Sequence, residues 1–114
     1  MRAAEKVNDR FDVLLRLSAQ RALWGNVPPS LRSVSVEERG TTLHFRAVFS
    51  PEATEDDREL LSVAATQVIA DFPAPFMIEE EFMEIAPPVE PPHLRYLIFL
   101  RAESAAGKER YLRP

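Results

Sequence analysis

LRSVSVEERGTTLHFRAVF, residues 31–49, decides the fold. In its first half Val34 and Val36 fall on one side, while Ser33, Ser35 and Glu37 fall on the other. In its second half Leu43, Phe45, Ala47 and Phe49 alternate with His44, Arg46 and Val48. A period of two is the signature of a strand with one face against a core, because successive side chains leave a pleated backbone on opposite sides. The two runs are separated by a turn containing Arg39 and Gly40. Alternating runs across a glycine turn predict a β-hairpin.

Upstream, residues 3–24 change period. Phe11, Leu14, Leu15, Ser18 and Ala22 recur at helical spacing, with Arg10, Arg16, Gln20 and Arg21 elsewhere on the turn. Gly25 stands where a left-handed C-terminal cap is wanted, and Pro28 forbids continuation. Downstream, Thr54 with Asp57 three residues on resembles a capping box. Leu61, Ala64, Ala65, Val68 and Phe72 then form the expected buried stripe of a second helix, which Pro73 ends.

Residues 76–85 read as a third strand of imperfect phase, since Phe76, Ile78 and Phe82 share a face with Glu80. A bulge near Glu79–Glu81 would shift the phase and turn the glutamates outward. A proline-rich loop over 86–92 leads to the last strand, where Leu94, Tyr96, Ile98 and Leu100 alternate with Arg95, Leu97, Phe99 and Arg101. Apolar residues on both faces of this strand predict a central or doubly covered position. The expected architecture is α+β, order α-β-β-α-β-β: a two-layer sandwich of a four-stranded, mostly antiparallel sheet with both helices on one face. Residues 1–103 are expected to form a single domain and 104–114 a flexible C-terminal tail.

The totals narrow the chemistry. The chain has 114 residues, no cysteine and a formal net charge of −4. Disulfides, thiolate zinc sites and cysteine nucleophiles are therefore excluded from it. The acidic balance argues against nucleic acid and against an anionic membrane surface, both of which recruit excess Lys and Arg. No apolar run approaches the roughly 20 residues a spanning helix needs, and none resembles a signal peptide, so a cytoplasmic location is expected. Three glycines, unclustered, cannot build a phosphate-cradling loop. No serine lies in a nucleophile elbow, and no carboxylate stands in a signature spacing with His44 or His93. No catalytic residue, metal ligand or cofactor is expected.

Two acidic clusters remain. Glu55, Asp56, Asp57 and Glu59 crowd the first turn of the second helix, where the helix dipole alone is sufficient reason for carboxylates. Glu79, Glu80, Glu81 and Glu84 lie along the third strand, where charge discourages edge-to-edge aggregation. Both clusters have a second reading as a docking surface for basic side chains. Trp24, at a helix end beside two prolines, is either a core plug or an interface anchor, and the plug is the expectation. Arg16, Arg21 and Arg32 lie near it in sequence and are read as surface residues.

ALWGNVPPSLRSVSVEE at 22–38, ATEDDRELLSVAATQVIADFP at 53–73, IEEEF at 78–82 and HLRYLIFLR at 93–101 together resemble a family of small, mostly uncharacterised bacterial proteins. That family has no established catalytic residues to carry over. Small acidic α+β chains of this kind are also similar to bacterial immunity proteins, which neutralise toxins. The resemblance implies a non-enzymatic protein-binding module whose acidic surface meets a basic toxin. Two alternatives stand beside it. One is a homodimer that pairs exposed sheet edges or buries the sheet face that carries Val48, Leu97 and Phe99. The other is a small-ligand binder or enzyme with a pocket where His44 and Arg46 meet a carboxylate.

Overall fold

The computed structural model describes residues 2–103, with side chains from Arg10 onward. The expected tail at 104–114 lies outside the described residues. The order is α1 (Arg2–Ala22), β1 (Leu31–Arg39), β2 (Thr42–Phe49), α2 (Glu55–Ala70), β3 (Met77–Glu84) and β4 (Tyr96–Leu100). The fold is α+β, with the sheet ordered β3-β2-β1-β4. β1 pairs antiparallel with both β2 and β4, and β2 pairs parallel with β3.

The hairpin forms as its periodicity dictates. Val36 faces Phe45 and Val34 faces Ala47 on the inner side of the sheet, and Gly40 takes the turn at φ 62°. Both helices lie over that side. Leu15, Ala19 and Ala22 of α1 and Leu61, Ala64, Ala65 and Val68 of α2 meet Val34, Phe45, Ala47 and Phe49 in one buried cluster. α1 stops as expected: Gly25 has φ 77°, and the Asn26 side-chain amide donates to the Ala22 carbonyl at 2.8 Å. α2 starts with the expected capping box, Thr54 Oγ1 accepting from the Asp57 N–H while Asp57 accepts from the Thr54 N–H, both at 3.1 Å. Because α2 crosses over the sheet between β2 and β3, those strands run parallel, as such a crossover requires.

Three expectations about phase and position are corrected. β3 has no bulge: its register with β2 is unbroken from Met77 to Glu84. Glu80 therefore does share the helix-side face with Ile78 and Phe82, and it is tolerated there because β3 is an edge strand and leaves it exposed. β4 is not central but lies at the opposite edge. The irregularities fall elsewhere: Arg32 is extra in β1, between Leu31 and Ser33 against β2, and Ile98 is extra in β4, where the consecutive Val34 and Ser35 of β1 face Phe99 and Leu97. The second sets Phe99 opposite Val34, so Phe99 packs on the core rather than on the outer face.

β3 and β4 occupy opposite edges, so the chain between them has to cross the whole sheet. It does so as a strap over the face opposite the helices. The Pro92 carbonyl accepts from Arg46 Nη1 (3.4 Å), the Leu94 N–H donates to Ser35 Oγ (2.8 Å) and the Arg95 N–H donates to Glu37 Oε1 (3.0 Å). Pro91 and Leu94 are buried against the sheet. This covering explains why Ser33, Ser35 and Val48 are almost wholly buried on a face that carries no helix. It also corrects the expectation of an open apolar face around Val48, Leu97 and Phe99: Val48 is covered, Phe99 is turned inward, and Leu97 alone stays exposed.

Candidate functional site

The β3 cluster is divided between the two faces of the sheet: Glu80 and Glu84 fall on the helix side with α2, and Glu79 and Glu81 on the strap side with His44 and Arg46. α2 packs over β2 and β3, and an ion pair between Arg58 of α2 and Glu84 of β3 ties the first turn of the helix to the end of the edge strand. The clusters are not equally free. Asp57 is occupied: the Ser30 hydroxyl donates to it at 2.8 Å, and with the Thr54 N–H this holds its carboxyl below the ordinary value. Glu81 pairs with Arg46 at 2.7 Å, Glu84 with Arg58, and Glu79 lies 3.7 Å from His44 Nδ1. Glu55, Asp56, Glu59 and Glu80 are exposed and have no ion-pair partner among the described residues. A basic surface could engage these four without displacing an internal ion pair, which makes them the accessible part of the eight residues expected from the sequence.

His44 and a carboxylate do converge. A groove of about 340 Å³ runs beside the strap, lined by Arg39, His44, Arg46, Glu79, Glu81 and Leu94. Its cations and carboxylates largely compensate one another. No group of three or more His, Asp or Glu side chains suited to a metal ion occurs among the described residues.

Trp24 is no plug. It is 78 % exposed, just past the end of α1, and joined to the helix by an N–H donated to the Arg21 carbonyl at 3.1 Å. Leu14, expected in the buried stripe, is also exposed. Arg32, read from the sequence as a surface residue, is 1 % exposed. Its guanidinium donates to Glu103 through Nε (2.7 Å) and Nη2 and to the Ile85 carbonyl through Nη1 (2.7 Å). Glu103 accepts Arg101 Nε at 2.9 Å as well. Burial pushes the Glu103 carboxyl up, but the hydrogen bonds and charges of Arg32 and Arg101 outweigh it and leave the group below its ordinary value. A signal was present in the sequence: an arginine falling two residues before Val34 and four before Val36, in the phase of the inner face.

Among the described residues, no helix is long and apolar enough to cross a membrane. None of the curated proteins matches the chain. A family model described as MafI2 immunity protein matches residues 12–103, the whole span from the middle of α1 to the carboxylate that holds Arg32.

Proposed function

The chain belongs to the MafI2 immunity protein family, and from that premise we propose that it neutralises a toxin in the cytoplasm by binding it, with its acidic side set against a basic surface of the toxin. The observation that supports the electrostatic part is the Arg58–Glu84 pair, which ties the first turn of α2 to β3, beside Glu55, Asp56, Glu59 and Glu80, which are exposed and have no ion-pair partner among the described residues. Carboxylates without internal partners attract a basic partner at long range and speed its encounter. Neutralisation of this kind needs occupation of the toxin and no chemistry. Two of these four carboxylates also serve α2: Glu55 and Asp56 stand in its first turn, where they favour the helix dipole. These two thus support both the helix and the partner.

The test uses a candidate toxin domain, to be sought first among the genes neighbouring this one. Co-expression should protect cells from that domain, and titration calorimetry of the purified pair should show affinity falling steeply from 50 to 300 mM salt (~50 and ~300 mM span the range over which screening takes hold). Reversing Glu55, Asp56, Glu59 and Glu80 together to Lys should weaken binding and flatten that salt dependence. Unchanged binding would remove the electrostatic reading, and absence of protection would remove the immunity reading itself.

A further inference from the structure

The outer face of α1 is the least protein-like surface of the molecule. Val13, Leu14 and Leu17 are each about half exposed, and Trp24 is 78 % exposed. At about 100° per residue these positions fall within about a third of the helix circumference. Isolated exposed apolar residues are ordinary, but a contiguous stripe is a mark of an interface. The stripe borders a groove of about 440 Å³ between α1 and the end of α2, walled by Phe11, Leu14, Phe72, Pro73 and Phe76. The Arg21–Asp71 pair (3.1 Å), with Ser18 donating to Asp71 at 2.6 Å, forms its polar end. The same helix thus carries a protruding indole and an aromatic groove. They are about ten residues apart, or about 15 Å of helix.

A knob and a hole on one helix are exchanged by a two-fold axis. We propose that this face pairs with a second copy of the chain, the two α1 helices antiparallel about an axis near Leu17, with each Trp24 entering the groove of the other copy. Positions then meet where their numbers sum to 34. Leu17 meets its own equivalent, Leu14 meets Gln20, Val13 meets the stem of Arg21, and Trp24 meets Arg10 at the mouth of the groove. Like charges never face each other in this register, and Arg10 lies where its guanidinium can sit on the indole. Parallel pairing would set Arg10 against Arg10 and each Trp24 against the other, leaving both grooves empty. The contact is isologous and closes at two copies. The rim also argues against the toxin as occupant. Arg10 and Arg21 border this face, and among the described residues the only carboxylate at the groove, Asp71, is already paired, so a basic partner drawn to the acidic side has little to engage here.

The absence of cysteine makes the test direct. Light scattering of the whole chain at several hundred micromolar should give twice the 13.0 kDa chain mass. Trp24→Ala should weaken association roughly 30-fold, the effect of losing a central tryptophan anchor, with an unchanged circular dichroism spectrum because the side chain is exposed in the single chain. Leu17→Cys should cross-link to itself under oxidation, and an equimolar mixture of Leu14→Cys and Gln20→Cys chains should form the mixed dimer. A Val63→Cys chain, altered on α2, should not cross-link. The proposal is overturned by a single-chain mass at that concentration, by a dimer that survives Trp24→Ala, or by equal cross-linking through Val63→Cys. It is equally overturned if Trp24 emission is buried in a monomer and becomes solvent-like on removal of residues 104–114, since the occupant would then be the chain's own terminus.

Discussion

Arg32 and Glu103, 71 residues apart in the chain, are joined by a hydrogen bond of 2.7 Å from Nε to Oε1, with a second from Nη2 to the same oxygen. The arginine is 1 % exposed and Glu103 is mostly covered. A buried guanidinium without its carboxylate is the costly state, so Arg32→Ala and Glu103→Ala should each destabilise the fold by about 3–5 kcal/mol. Replacing both, as Arg32→Met with Glu103→Leu, should cost clearly less than the sum of the single changes. Urea unfolding of the four proteins measures this, and strict additivity would show that the pair is not coupled.

The strap should be separable from the core. Ser35→Ala removes the acceptor of the buried Leu94 N–H and should cost about 1–3 kcal/mol, the penalty of an unsatisfied buried donor. Hydrogen exchange at the Leu94 amide should rise, while the amides of α2 change only by the global loss of stability. Protection of Leu94 equal to wild type would mean the strap is held by its apolar contacts alone.

The helix layer should resist enlargement. Ala64 and Ala65 have no exposed surface and let α2 approach the sheet closely. Ala65→Leu should therefore destabilise by about 1–3 kcal/mol through overpacking. Thr54→Ala should cost about 0.5–2 kcal/mol by removing the cap of the same helix. Thermal unfolding distinguishes them from the exposed Glu59→Gln, which should lie within about 0.5 kcal/mol of wild type.

Stability should fall at both ends of the pH scale. The Glu37 carboxyl is held below its ordinary 4.5 by the Arg95 N–H, with Arg39 adding to it, and Asp57 below its ordinary 3.8 by Ser30 and Thr54. A depressed carboxyl stabilises the folded state above the unfolded value, and that contribution is lost as pH falls through the folded one. The loss should thus begin near 4.5 and continue below 3.8. Tyr96 moves the other way: its hydroxyl donates to Asp12 at 2.5 Å, which raises it above 10.0, so its contribution holds below 10.0 and fades as pH rises further. Melting temperatures of wild type and of Glu37→Gln with Asp57→Asn decide the acid limb. The double variant should show a flatter decline, and an identical limb would assign it to other groups.

The elements whose evidence is local were legible in the sequence. The hairpin announces itself by alternation and Gly40, and α2 by Thr54, Asp57 and its alanine-rich stripe. What was not legible depends on residues far away in the chain. Nothing within residues 93–101 tells that β4 sits at an edge: α1 packs on its inner side, while Leu97 and Leu100 are left exposed. The phase of Phe99 depends on Ile98 being extra in β4, which shows only against the register of β1, and the burial of Arg32 depends on a carboxylate at position 103. Of the eight carboxylates expected at the site, the four left without ion-pair or capping partners could be told from the others only once Ser30, Arg46, His44 and Arg58 had been placed beside their neighbours.

The route of the chain from β3 over the sheet to β4 has a consequence for biosynthesis. The hairpin and both helices leave the ribosome first, yet the outer face is closed only by residues from Pro91 onward, and Arg32 gains its counter-charge only from Glu103. A chain halted before Pro91 would hold the Arg32 cation with the Ile85 carbonyl but no carboxylate to answer it, and would leave Val48 bare to water. Truncated products of this protein that stop before Glu103 should accordingly be recognised as unfinished and degraded.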